Sequence, residues 1–181
     1  MAFSFNSAAI GDETKTFRFK ARTWDTLSSS TVFLSGEYEV AVSSGKCDVT
    51  KVIDGALHLV GGNAAAELCR MVGVDPDKRM YVKLPLEIGK EWVQEYNYNI
   101  TGDSITRRRT ATYRVVAMET VGAFATFRIE GDARISNRSG KFDQKWVYNY
   151  NEATNVIVKW HYDSAVGQTG AKMEIDLVMA K

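Results

Sequence analysis

The chain has 181 residues, 45% hydrophobic and 25% charged, with 23 basic residues against 22 acidic ones and a formal net charge of +1. That length fits one domain, with apolar material enough for a core that needs no metal or disulfide staple. The balanced charge argues against a nucleic-acid binder, which carries a basic excess or stripe. No stretch reaches the roughly 18 uninterrupted apolar residues of a membrane-spanning helix.

In chain order, residues 1–13 read as a loose leader and 14–181 as a single β-rich domain. The opening "MAFSFNSAAIGDETK" has no basic n-region and no sustained apolar run, so no signal peptide is expected in it. The protein is then either cytosolic or the mature end of an exported chain. "KTFRFKAR" and "STVFLSGEYEVAV" read as strands, the second through Phe33, Tyr38, Val40 and Val42. "ARTWDTLSSS" holds a helical turn or a loop, and "KCDVTKVIDGALHLVGG" is one bent strand or two. The one helix falls near 63–73, with Asn63 as its N-cap, Gly73 as its stop and Pro76 beyond. Its stripe of Ala64, Leu68, Met71 and Val72 predicts packing on the apolar face of a sheet.

From residue 80 onward the pattern alternates with period two, the signature of half-buried strands. Trp92, Gln94, Tyr96, Tyr98 and Ile100 share a face, as do Ala111, Tyr113, Val115 and Ala117. Phe127 and Ile129 follow, then Phe142, Trp146 and Tyr148, then Val158, Trp160 and Tyr162, and finally Met173, Ile175 and Leu177. Short polar turns such as "NEATN" and "SNRSGK" make neighbouring strands antiparallel. The predicted fold is mainly β: a single curved antiparallel sheet or half-barrel, with a bent sandwich as the alternative, and one short helix. A sheet with one wide apolar face and one helix must curl to bury that face.

No catalytic signature is present. His161, Asp163 and Ser164 stand close in "WHYDS", but no G-x-S-x-G elbow accompanies them, and alternation turns His161 to the polar face. His58, among apolar neighbours, reads as a hydrogen-bonded structural histidine. "RRR" at 107–109 splits across a strand, Arg108 against Arg107 and Arg109, and reads as a solvated edge. "LVGGN" lacks the spacing of either phosphate-binding glycine loop and reads as a tight turn. With two histidines and no C-x-x-C, a metal site is not expected, and neither is a cofactor. Cys47 and Cys69 read as two buried free thiols; the alternative, a disulfide between them, suits an oxidising compartment.

The stretch from "KRMYVKLPLEIGKEW" to "MEIDLV" resembles a group of uncharacterised bacterial exported β-proteins. The resemblance rests on Leu84, Pro85, Leu86, Gly89, Lys90 and Trp92 at the opening. It continues through Val115, Val116, Glu119, Val121, Gly122, Phe124, Phe127, Ile129 and Glu130, and ends at Val156, Val158 and Lys159. "YNEATN" stands where the group often has Tyr-Ser-Pro-Glu-x-Gly. The resemblance implies a curved antiparallel domain, similar in outline to lipoprotein carriers, and export to the periplasm or outer membrane. It implies no reaction.

The remaining feature is the aromatic face. Core filling explains it simply, but six strands of apolar face need more cover than one short helix supplies. The expectation is therefore a non-enzymatic binding module that holds an apolar or amphipathic ligand, such as an acyl chain or a lipoprotein segment. The candidate ligand-binding residues are Trp92, Tyr96, Tyr98, Phe127, Trp146, Tyr148, Trp160 and Ile175. The alternative is a structural protein with a filled core that pairs with a partner through a strand edge.

Overall fold

The computed structural model describes residues 14–24, 34–74, 81–98, 107–137, 140–166 and 169–180. The leader, the segment 25–33 with Phe33, Pro76 and Ile100 lie outside the described residues, as do the side chains of Tyr98 and Phe142. The first four strands are β1 (Lys15–Trp24), β2 (Gly36–Ser43), β3 (Lys46–Ile53) and β4 (Ala56–Val60). Helix α1 (Gly62–Met71) follows, then β5 (Glu91–Tyr98), β6 (Arg107–Val121) and β7 (Phe124–Asn137). The chain closes with β8 (Gly140–Asn151), β9 (Val156–Val166) and β10 (Thr169–Ala180).

All ten strands pair in one antiparallel sheet, in the order β4-β3-β2-β1-β10-β9-β8-β7-β6-β5. The six strands expected after residue 80 are there, and the sheet is not closed into a barrel. The edges are β4 and β5.

Local chemistry sets the turns. Ser44 and Gly45, and again Asp54 and Gly55, have φ between 50° and 80°, the mirror-image turn geometry that matches strand twist in two-residue hairpins. The Asp-Gly pair thus divides "KCDVTKVIDGALHLVGG" into two strands, β3 and β4. The "NEATN" turn is held by Asn151, whose Oδ1 accepts from the Thr154 backbone N–H at 2.9 Å and whose Nδ2 donates to the Ala125 carbonyl at 2.7 Å.

Helix α1 crosses the inner face. It packs against both β3 and β9, which stand four steps apart in the sheet. Four steps on a sheet span about 19 Å and ten helical residues about 15 Å, so the helix bridges the two strands from end to end. Leu68, Met71 and Val72 are buried as their spacing predicts, and Ala64 packs against the same core.

The N-cap is Gly61 rather than Asn63, and no side chain caps it. The Gly-Gly pair, expected as a tight turn, instead supplies the N-cap and the first helical residue, Gly62, so the helix starts one residue before Asn63. At the C-terminus, Gly73 N–H donates to the Arg70 carbonyl and Val74 N–H to the Cys69 carbonyl, the paired bonds of a Schellman stop. Gly73 is left-handed (φ 78°), and a Cβ on it would come within 2.3 Å of the Asn155 amide. The helix end is thus seated directly on the β8–β9 turn.

Three sequence expectations are corrected. Cys47 and Cys69 are joined in a disulfide rather than free; α1 lies over β3, which brings their Cα atoms to 5.9 Å. Ala117 does not share the face of Ala111, Tyr113 and Val115, because a bulge between Val115 and Ala117 shifts the β6–β7 register. His58 is exposed on the edge strand β4, which has a neighbour on one side only.

Candidate functional site

The inner face of β5–β9 gathers the aromatic residues in cross-strand rows. Trp92 pairs with Tyr113, Tyr113 with Gly131, Gly131 with Trp146 and Trp146 with Tyr162. The next row runs Ile129, Tyr148, Trp160, Ile175. Gly131 is the small residue this arrangement needs: a Cβ there would meet the Trp146 indole at 2.1 Å. With that space free, Trp146 lies flat across β7 and is 2% exposed. Tyr113 stacks on Trp92 with centroids 5.1 Å apart and tilts toward Trp146 at 5.5 Å.

Cover over the second row comes from an irregular stretch. Tyr81 sets its ring edge-on to Tyr113, Tyr148 and Trp160, at 6.5, 6.4 and 5.5 Å between centroids. The Tyr148 hydroxyl donates to the Tyr81 carbonyl, and the Tyr81 hydroxyl donates to Glu67 on α1 at 3.2 Å. Glu67 also pairs with the buried Arg70 at 2.6 Å. Burial raises the phenol pKa of both Tyr81 and Tyr148 well above its ordinary range, and the Glu67 charge adds to the effect at Tyr81. From Tyr81 the chain passes the buried Leu86 to Gly89, whose N–H donates to the Val115 carbonyl and starts the edge pairing of β5.

At the other end of the aromatic rows stands a cation. Arg109 is one row beyond Ala111 on β6 and reaches back over Trp146, its guanidinium carbon 4.7 Å from the indole centroid. One terminal nitrogen donates to the Tyr96 hydroxyl at 2.9 Å. Its Nε is buried with no acceptor. Burial opposes the charge, but the surrounding tyrosines, Tyr96 first, outweigh it and hold the group above even the usual arginine range.

Every other arginine with a described side chain has a carboxylate partner: Glu39 for Arg18, Glu174 for Arg22, Glu67 for Arg70, Glu95 for Arg108, Glu91 for Arg114, Glu130 for Arg128 and Asp143 for Arg134. Among the described residues Arg109 has none. Three buried indole N–H groups, those of Trp92, Trp146 and Trp160, likewise find no acceptor there, and neither does the Gln94 carbonyl find a donor.

No protein-family model matches the sequence, and no curated protein matches it. Among solved structures, the chain is similar to a Bacteroides fragilis protein of YmcC-like fold thought to be exported. Identity is 13% and the TM-score 0.39, over 94% of this chain and 97% of that one. It is also similar to the hypothetical lipoprotein YmcC of Escherichia coli, with 10% identity and a TM-score of 0.36 over 96% and 92% of the two chains. Likeness this loose carries no argument about activity.

The eight sequence candidates fall into groups. Tyr96 and Trp146 meet at Arg109, and Trp92 stacks on Tyr113 farther along the same face. Tyr148 and Trp160 lie under Tyr81, and Ile175 pairs beside Trp160, fully buried. Phe127 is half-buried and lies beyond Ile129, at the far end from Arg109. Tyr98 continues β5 past Tyr96, and its side chain lies outside the described residues.

Sequence reasoning overlooked two residues. Arg109 is not part of a solvated edge: β6 is an interior strand, and it is Arg108 that faces out to Glu95. Parity with Ala111, Tyr113 and Val115 carries the signal for it. Tyr81 has no such signal, because its stretch has no period. His161 is on the outer face as expected, 3.3 Å from Glu174.

Proposed function

We propose that this protein is a non-enzymatic binding module that holds an apolar or amphipathic ligand on the inner aromatic face, at the end defined by Trp92, Tyr96 and Trp146. The observation that carries this reading is the set of buried polar atoms left without partners beside those rings. Native proteins leave few such atoms unsatisfied, and each costs about 1–3 kcal/mol when buried alone. A surface of rings with a few placed polar groups is the usual chemistry of a small-molecule site.

The Cys47–Cys69 disulfide supports a place in the cell envelope, since such links persist in oxidising compartments. No group of histidine, cysteine, aspartate or glutamate residues with metal-holding geometry occurs among the described residues, and the reading assigns no catalytic role to any side chain.

A second reading has its own observation. The edge strand β4 presents Leu57 and Leu59, 55% and 81% exposed, on the face opposite Val60, while the inner rings under Tyr81 are already packed. That combination fits a filled core and a partner strand added at β4. Tyr96→Ala separates the two readings. For a filled core that pairs only at β4, the parent binds no dodecanoate. For a binding face the parent takes up one dodecanoate per chain, and its affinity falls in the variant.

A further inference from the structure

We propose that Arg109 anchors an anionic head group, so that the ligand of this face is an amphiphile with a carboxylate or phosphate at one end. The proposal rests on the binding reading above and adds the ligand's charge and orientation. The tail would leave Arg109 past Tyr96, the partly exposed ring beside it.

Arginine keeps its charge in any folded protein, and taking a charge out of water is costly unless an opposite charge compensates it. The ring contacts and the Tyr96 hydroxyl favour the guanidinium, but both are neutral and leave it without an opposite charge. Glu67, which lies across Tyr81 from this end, is already engaged by Arg70 and the Tyr81 hydroxyl. The guanidinium can only donate, and its Nε is buried without an acceptor. A cation with a free donor selects an acceptor without protons of its own. The outer face shows what the chain does with an arginine it intends to pair internally, since Arg108, the next residue, has Glu95 at 2.9 Å. Arg109 is only half-buried, so its free edge remains open to solvent and to a ligand.

Calorimetric titration tests this with four probes: dodecanoate, dodecyl phosphate, dodecanol and inorganic phosphate, on the parent, Arg109→Met and Arg109→Lys. The parent should bind dodecanoate and dodecyl phosphate at one per chain, about 10- to 100-fold more tightly than dodecanol, the range expected of a hydrogen bond to a charged group. Arg109→Met should abolish that preference and leave dodecanol affinity within about threefold; Arg109→Lys should keep part of it. Equal affinity for dodecanoate and dodecanol in the parent overturns the anchor and leaves the binding reading standing. So does a preference that survives in Arg109→Met. Inorganic phosphate bound as tightly as dodecyl phosphate overturns the amphiphile. Failure of all three dodecyl probes to bind the parent overturns both readings. If Arg109→Met does not fold, the parent's preference and Arg109→Lys decide.

Discussion

Arg108 and Arg109 are chain neighbours on one strand, yet they live in opposite worlds. On the outer face, Arg108 joins a lattice of cross-strand pairs that includes Arg114 with Glu91, Arg134 with Asp143 and Lys159 with Asp176. Even the buried amide of Asn149 is satisfied there, by Glu119 at 2.6 Å and Thr126 at 3.2 Å. On the inner face, Arg109 meets rings and one hydroxyl, and the buried indoles of that face donate to nothing described. Among the described residues the outer face pairs its arginines with carboxylates, and the inner face leaves Arg109 without one. Exposed pairs of the outer kind contribute little to stability, typically below about 1 kcal/mol each. The incomplete inner face is where an external partner has something to gain.

The comparison is broken most severely by removing a ring. Trp146→Ala should cost about 3–5 kcal/mol of unfolding free energy through the cavity left between Tyr113 and Arg109, read by denaturant titration. Gly131→Ala should cost about 1–3 kcal/mol, since its methyl would displace the indole; the same titration with a tryptophan emission shift checks it.

The tyrosines sharpen the contrast with pH. A phenol whose pKa is raised in the folded chain adds stability that is whole below its unfolded value, near 10, and is lost as pH rises through the folded value. Tyr81 and Tyr148 are raised well above that value by burial. Of the eight tyrosines, these two should ionise only as the protein unfolds in alkali, visible as late absorbance at 295 nm; at neutral pH the effect is nil. The smallest change belongs to the outer face. Arg108→Ala should shift stability by less than about 1 kcal/mol and leave dodecanoate affinity untouched.

Much of this arrangement is legible in the sequence, and the reasons differ by region. Period two exposes β5–β10 because each strand buries one face only. Parity within that pattern assigns Trp92, Trp146 and Trp160 to the same side as the structure does. It assigns Arg109 there too, although a run of three arginines invites reading as a solvated edge. The bulge at Val116 is silent, since an extra residue leaves no mark among Val115, Val116 and Ala117, and it flips everything after it on β6. The disulfide is silent for another reason: it depends on where α1 lands, and nothing in its own stripe says that β3 is beneath it. Tyr81 is set by tertiary contact alone.

The central claim is that the inner face is a binding surface, and the indole N–H groups report on it directly. The chain has four tryptophans, whose indole resonances are separable by nitrogen-15 NMR and assignable with single Trp→Phe variants. On titration with dodecanoate, the account predicts that the Trp92 and Trp146 signals move most and saturate at one equivalent per chain. Tryptophan signals that all stay in place while dodecanoate is added in excess would contradict it.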